Sequence, residues 1–177
     1  AIKTCLGVSI LTSLAITISG CSESIVSHAL PAPLRTDFPY ELKGPILNVW
    51  GGDHFDFGNE KKLHYVEIRG VDCPPPGKEF HNRAQRATAD MVRGKFATLK
   101  VHGHTELKIE ISDVYVRDNV DPSQDLNVGL ELIKRGLGWH DGNDFELAET
   151  YRDAESTAKQ QNLGLWAKQK PSAKRTD

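Results

Sequence analysis

Cysteine is scarce in this chain: Cys5, Cys21 and Cys73 are the only three in 177 residues, and no two of them form a C-x-x-C pair. A disulfide framework, a structural zinc knuckle and dithiol redox chemistry therefore each lack their ligands. An excess of charge of either sign is also missing, since 22 Lys plus Arg face 24 Asp plus Glu for a formal charge of -2. No global field draws polyanions to such a chain, which argues against a dedicated nucleic-acid binder. From Cys5 to Gly20 charge disappears altogether (CLGVSILTSLAITISG), and the nearest charged residues are Lys3 and Glu23.

A bilayer core takes about 20 apolar residues, and this run approaches that length once Ile2, Ile25 and Val26 are added. The expectation is a transmembrane helix within residues 1–26, with Gly7, Ser and Thr residues on a stripe suited to packing against other membrane helices. A cleaved secretory signal and a buried core helix are the competing readings. So is a bacterial lipobox, which Ile18-Ser19-Gly20-Cys21 resembles and in which Cys21 would carry lipid. Lys3 before the run and Glu23 after it favour an N terminus on the matrix or cytoplasmic side. Residues 27–40, with Pro31, Pro33 and Pro39 and no apolar period, read as a linker.

Beyond it the pattern changes to that of a folded domain over residues 41–167, followed by a tail at 168–177. Leu42, Ile46 and Val49 lead into a Gly51-Gly52-Asp53 turn, and Phe55 and Phe57 alternate after it, a hairpin signal. A third strand places His64, Val66 and Ile68 on one face and Leu63, Tyr65 and Glu67 on the other, and it ends at Pro74-Pro75-Pro76. Phe80, Ala84, Ala87 and Met91 predict a helix over 78–93, stopped by Gly94. Strands are expected at 96–101 and 107–116, with helices at 126–135 and 144–161, the last capped by Asp144. This order suits an α+β fold: a five-stranded OB-type barrel with three helices.

Five blocks in register carry a family resemblance. They are Gly52-Asp53-His54-Phe55, Ile68 to Pro74, the helix from Phe80 to Gly94, Leu132 to Gly138, and Gly164-Leu165-Trp166. Together they resemble a staphylococcal-nuclease-like (thermonuclease) domain over about residues 45–166. The resemblance implies calcium held by two aspartates and a carbonyl, a glutamate as general base, and two arginines on the scissile phosphate. It places the aspartates at Asp53 and Asp72 and the carbonyl at Cys73. The base position holds Pro75, the first arginine position Glu67, and the second Ile109, taking 107–116 as the fifth strand. An alternative alignment on Asp113-Val114-Tyr115-Val116-Arg117 would supply Arg117.

Two functional expectations follow. In the first the domain is not an enzyme: no catalytic residue and no cofactor or metal remain, and Asp53 and Asp72 are backbone-capping residues. It would then serve as an accessory subunit of a membrane complex, the mitochondrial respiratory chain being the leading candidate, with the domain in the intermembrane space. Its partners would be membrane lipid and other subunits, met through the N-terminal helix and the barrel surface, with no nucleic acid. The alternative is a secreted or envelope-anchored calcium-dependent nuclease, with Asp53 and Asp72 on the metal and Arg69 or Arg117 on phosphate. His102 and His104 read as turn residues rather than ligands, Cys73 as a small buried group, and Trp139 and Trp166 as packing.

Overall fold

Alternation of apolar residues from position 40 onward builds a curved sheet that closes on itself. The structure, a computed structural model, describes residues 36–59, 62–117 and 123–167. The chain divides into two units, 1–34 and 35–177, and the barrel belongs to the second. Strands β1 (Tyr40–Val49), β2 (His54–Asn59) and β3 (Lys62–Ile68) form an antiparallel meander, and β5 (Phe96–His104) pairs with both β1 and β6 (Glu110–Arg117). Parallel pairing of β3 with β6, Val66 opposite Glu110, closes the five-stranded barrel. Closure removes the free sheet edges that would otherwise need protection. A short β7 (Asp125–Asn127) extends the sheet beside β6, and β4 (Val71–Asp72) pairs with β8 (Trp139–His140) in a separate ribbon.

Phe55, Phe57, Val66, Ile68, Leu99, Val101, Val114 and Val116 fill the barrel, each at most 1% exposed. Three helices accompany it: α1 (His81–Val92), α2 (Val128–Lys134) and α3 (Ala148–Gln160). The expected five barrel strands and three helices are therefore present, with different ends. Helix α1 starts at His81 rather than at 78, because Phe80 sits in the left-handed region with φ 67° after the proline run. Helix α2 starts at Val128 rather than at 126, after Asn127, whose side chain accepts a hydrogen bond from the Leu130 N–H. Asp144 does not cap α3: that position is Leu147, and Asp144 instead faces Arg152 from an exposed loop.

Two of the sequence blocks meet at one place. Gly136 has φ 65°, and a Cβ there would run into the Leu163 carbonyl, so only glycine allows the approach. The gap is closed by the Leu165 N–H donating to the Gly136 carbonyl at 2.8 Å. This contact ties the end of α2 to the 3-10 turn Gly164–Trp166. Trp166 lies half-buried with the Lys159 ammonium 4.5 Å from its ring centre.

Among the described residues no helix is long and apolar enough to cross a membrane. The expected transmembrane segment at 1–26, the candidate lipidation site Cys21, the first part of the 27–40 linker and the tail at 168–177 lie outside the described residues.

Candidate functional site

The Gly51-Gly52-Asp53 turn between β1 and β2 is pinned from two sides. A Cβ on Gly52 would collide with the Cys73 side chain and with Ala84, so glycine lets the turn press against α1 and the segment that follows β4. Thr88 of α1 donates its hydroxyl to the Gly52 carbonyl at 2.6 Å. Asp53 is thereby fixed 8% exposed, and its Oδ2 accepts the Cys73 N–H at 2.8 Å. Its Oδ1 lies 2.8 Å from His54 Nδ1.

His54 starts β2 opposite Glu67 of β3, and the ring sits between two carboxylates, with Nε2 3.7 Å from Glu67 Oε2. Hydrogen bonding to Asp53 and Glu67 raises the imidazole pKa to about 10 against the opposing effect of burial. At neutral pH His54 is therefore a cation, and its side chain is 44% exposed. Asp72 is the counterpart. Burial, followed by the charges of Asp141, Asp53 and Glu67, holds its carboxyl above the ordinary range, while a hydrogen bond from Trp139 opposes the shift.

Asp53 and His54, but not Glu67 or Asp72, border a cleft of about 530 Å³ whose lining also includes Tyr65, Pro75, His81 and Ile109. Pro75 and Ile109 both line this opening, whereas Glu67 does not line it and only approaches His54, which does. Ile109 immediately precedes β6, and that strand is the fifth of the barrel. Trp50 and Tyr65 flank the cleft at 59% and 56% exposed, and Phe96 is 76% exposed on β5. The sequence pattern suggests few exposed aromatics on strands, but the barrel turns these outward. Arg69 is held by Asp113 at 3.0 Å and by Glu146, with the Phe145 ring 4.6 Å away. Arg117 pairs with Asp125 at 3.4 Å, and neither arginine lines the cleft. Cys73 is buried, and burial pushes its thiol pKa well up, so it is no nucleophile.

The family's calcium does not fit this arrangement. Both Asp53 oxygens are already committed, Asp72 is bonded by Trp139, and among the described residues no three His, Cys, Asp or Glu side chains are gathered as a metal-ligand set.

The histidine cation gives a pH dependence with a defined sign. Its pKa in the folded chain lies above the unfolded value, so the stabilisation is complete below about pH 6.5 and is lost as pH rises towards about 10. Thermal unfolding of the wild type should fall in midpoint between pH 7 and 10, and His54→Gln should flatten that slope. Parallel slopes in the two proteins would show that the pair does not form.

A closed five-stranded barrel with three helices and a largely apolar cleft beside its first hairpin defines an OB-type barrel domain. The profile described as staphylococcal nuclease homologue matches residues 65–168, and the chain belongs to that family. It is 29% identical over 117 residues to probable endonuclease lcl3 of Aspergillus flavus, covering 57% of this chain and 42% of that protein. An uncharacterized endonuclease of Haemophilus influenzae is 24% identical over 106 residues, covering 60% and 55%. A probable staphylococcal-like nuclease CAN4 of Oryza sativa is 24% identical over 114 residues, covering 63% and 21%. The chain thus spans about half or less of the length of these relatives.

These names overturn the expectation that the domain is not an enzyme. That expectation equates missing groups with absent chemistry. Physically, each missing donor lowers the rate by a factor of about 10² to 10³, whereas whole enzymes accelerate reactions by up to about 10¹⁷. Different groups at the positions that the resemblance places at Glu67, Pro75 and Ile109 would therefore lower a rate and do not by themselves exclude one. Sequence reading also misses His54, whose charge depends on two carboxylates brought together only by the β2–β3 pairing.

Proposed function

We propose that the domain is a slow nuclease that hydrolyses phosphodiester bonds in single-stranded nucleic acid at the Asp53–His54 cleft. The observation that carries this reading is the charged His54 exposed beside two carboxylates, in a member of a nuclease family. The imidazolium places a positive charge at the cleft where the family resemblance expects arginines, and its Nε2–H, 3.7 Å from Glu67, is the proton given to the leaving oxygen once substrate displaces that contact. Asp53 holds the ring in place through Nδ1. Glu67 supplies the acceptor that Pro75 lacks: its carboxylate takes the proton from the attacking water. Trp50 and Tyr65 give exposed rings on which unpaired bases stack, the usual sequence-tolerant mode for single strands.

The test is cleavage of an end-labelled single-stranded oligonucleotide by the full chain in detergent, with EDTA or with calcium. Cleavage in EDTA supports the reading, and cleavage that appears only with calcium, or none with both, defeats it. Membrane attachment through residues 5–20, as a span or as lipid on Cys21, is part of the same proposal and rests on that charge-free run. It predicts partition of the full chain into a detergent phase, and recovery in the aqueous phase would contradict it.

A further inference from the structure

Strand β1 pairs with β5 only as far as Pro45, and α1 lies along its remaining residues. Gln85 Nε2 of α1 donates to the Val49 carbonyl at 2.8 Å and holds helix and strand side by side. Between them runs a groove of about 380 Å³, lined by Ile46, Leu47, Val49, Gln85, Arg86 and Arg93, among others. Val49 is followed in the chain by Trp50, which lines the cleft, so the two openings are linked by one peptide bond. The walls of the groove differ in chemistry. On the strand side it is largely apolar, with Leu47 53% exposed at the β1 bulge, whereas the helix side carries guanidinium groups. Arg83, Arg86, Asp90 and Arg93 follow one another at spacings of three, four and three, which puts them on one stripe of α1. Arg86 is exposed and has no ion pair among the described residues. Arg93 meets Asp90 at 3.2 Å, but their side chains are 77% and 67% exposed, and a pair in water is readily exchanged for another anion. With Lys78, Lys95 and Glu79 included, residues 78–95 hold five cationic and two acidic side chains, a local charge of +3 in a chain whose total is -2.

We propose that this groove is a track for the phosphate backbone of the same single strand, with Arg86 and Arg93 on two of its phosphates. This role rests on the nuclease reading of the cleft and extends it along the strand. A strand whose bases stack at Trp50 and Tyr65 carries its phosphates onward past Val49 to the arginine stripe. The planar guanidinium fork suits phosphate oxygens, and the apolar strand wall suits the sugars and bases turned the other way. Seven residues, about 10 Å of helix, separate Arg86 from Arg93, so each reaches its own phosphate. The near-neutral total charge does not oppose such a track. At physiological ionic strength charges act over about 8 Å, so the field that a phosphate meets there is that of α1.

The experiment is binding of the full chain, in nonionic detergent and EDTA on ice, to a fluorescent single-stranded oligonucleotide of about 16 nucleotides, the upper site size of one OB fold. Anisotropy is read over a series of salt concentrations, and each phosphate contact adds about 0.7 to the slope of log Kd against log salt. Arg86→Gln combined with Arg93→Gln should lower that slope by about 1.4 and weaken binding about tenfold at low salt. Both arginines are exposed, so glutamine leaves the core untouched. The control is Lys134→Gln combined with Lys159→Gln, which removes the same charge from α2 and α3 outside the groove and should leave the slope unchanged. No saturable binding by the wild type, an unchanged slope in the arginine variant, or an equal fall in the control overturns the track. So does polyglutamate that competes as well as unlabelled oligonucleotide, which would assign the groove to an acidic protein. Binding is read apart from turnover. A lowered slope without cleavage in EDTA defeats the nuclease activity alone, and cleavage with an unchanged slope defeats the track alone.

Discussion

Replacing His54 with glutamine lowers kcat on single-stranded DNA by about 10² to 10³, with a much smaller change in KM. The size follows from removing one preorganised positive donor in a site with no lysine or arginine among its described lining residues, while the ring of its other histidine, His81, has Nδ1 2.8 Å from the Pro74 carbonyl. Glutamine keeps a polar group of similar reach facing Asp53 but carries no charge, so folding is retained while the rate falls. The partner variant is Glu67→Arg, which restores the residue that the family resemblance places there. With Glu67 as the proton acceptor, the new arginine removes the base and repels His54, and the rate falls by about 10² to 10⁴. A rise in rate would instead assign phosphate binding to position 67 and place the base elsewhere. Measurement of kcat and KM for both variants on one oligonucleotide separates these outcomes.

Tyr151→Ala is expected to give the largest loss of stability, about 3 to 5 kcal/mol, or roughly 10–20 °C in Tm. The side chain is 0% exposed, its ring meets Phe145 edge-on at 5.2 Å, and its hydroxyl donates to Asn127 Oδ1 at 3.0 Å. It packs α3 against the first turn of α2, where a Cβ on Gly129 would come within 2.8 Å of its hydroxyl. Alanine leaves a cavity there that two helices cannot close without shifting the β4–β8 ribbon that carries Asp72 and Trp139. Tyr151→Phe removes only the hydroxyl. Asn127 Oδ1 keeps the Leu130 N–H, so the loss should be about 1 kcal/mol. Thermal unfolding of the two variants side by side tests the packing account, and equal losses would contradict it.

Much of the barrel is legible because its signals are local. Alternation in residues 63–68 gives the inward face of β3 directly, and the proline run at 74–76 marks where the sheet must stop. The start of α1 is less legible: Lys78 and Phe80 fit a helical period, while the left-handed backbone at Phe80 has no signature in side-chain hydrophobicity. Of the positions that the family resemblance singles out, Asp53, Cys73, Pro75 and Ile109 line one cleft, while Glu67 and Asp72 do not. What it does not supply is charge. His54 is an ordinary histidine in sequence, and its protonation at neutral pH depends on Asp53 from the turn and Glu67 across the ladder. The buried His64–Glu110 pair is hidden for the same reason, its members lying 46 positions apart.

The most direct measurement is the initial rate of oligonucleotide cleavage by the wild-type full chain and by His54→Gln at about pH 7, each in EDTA and in calcium. The account predicts slow, measurable cleavage by the wild type that falls at least about a hundredfold in the variant. Undiminished cleavage by His54→Gln, or no cleavage by the wild type in EDTA, would contradict it.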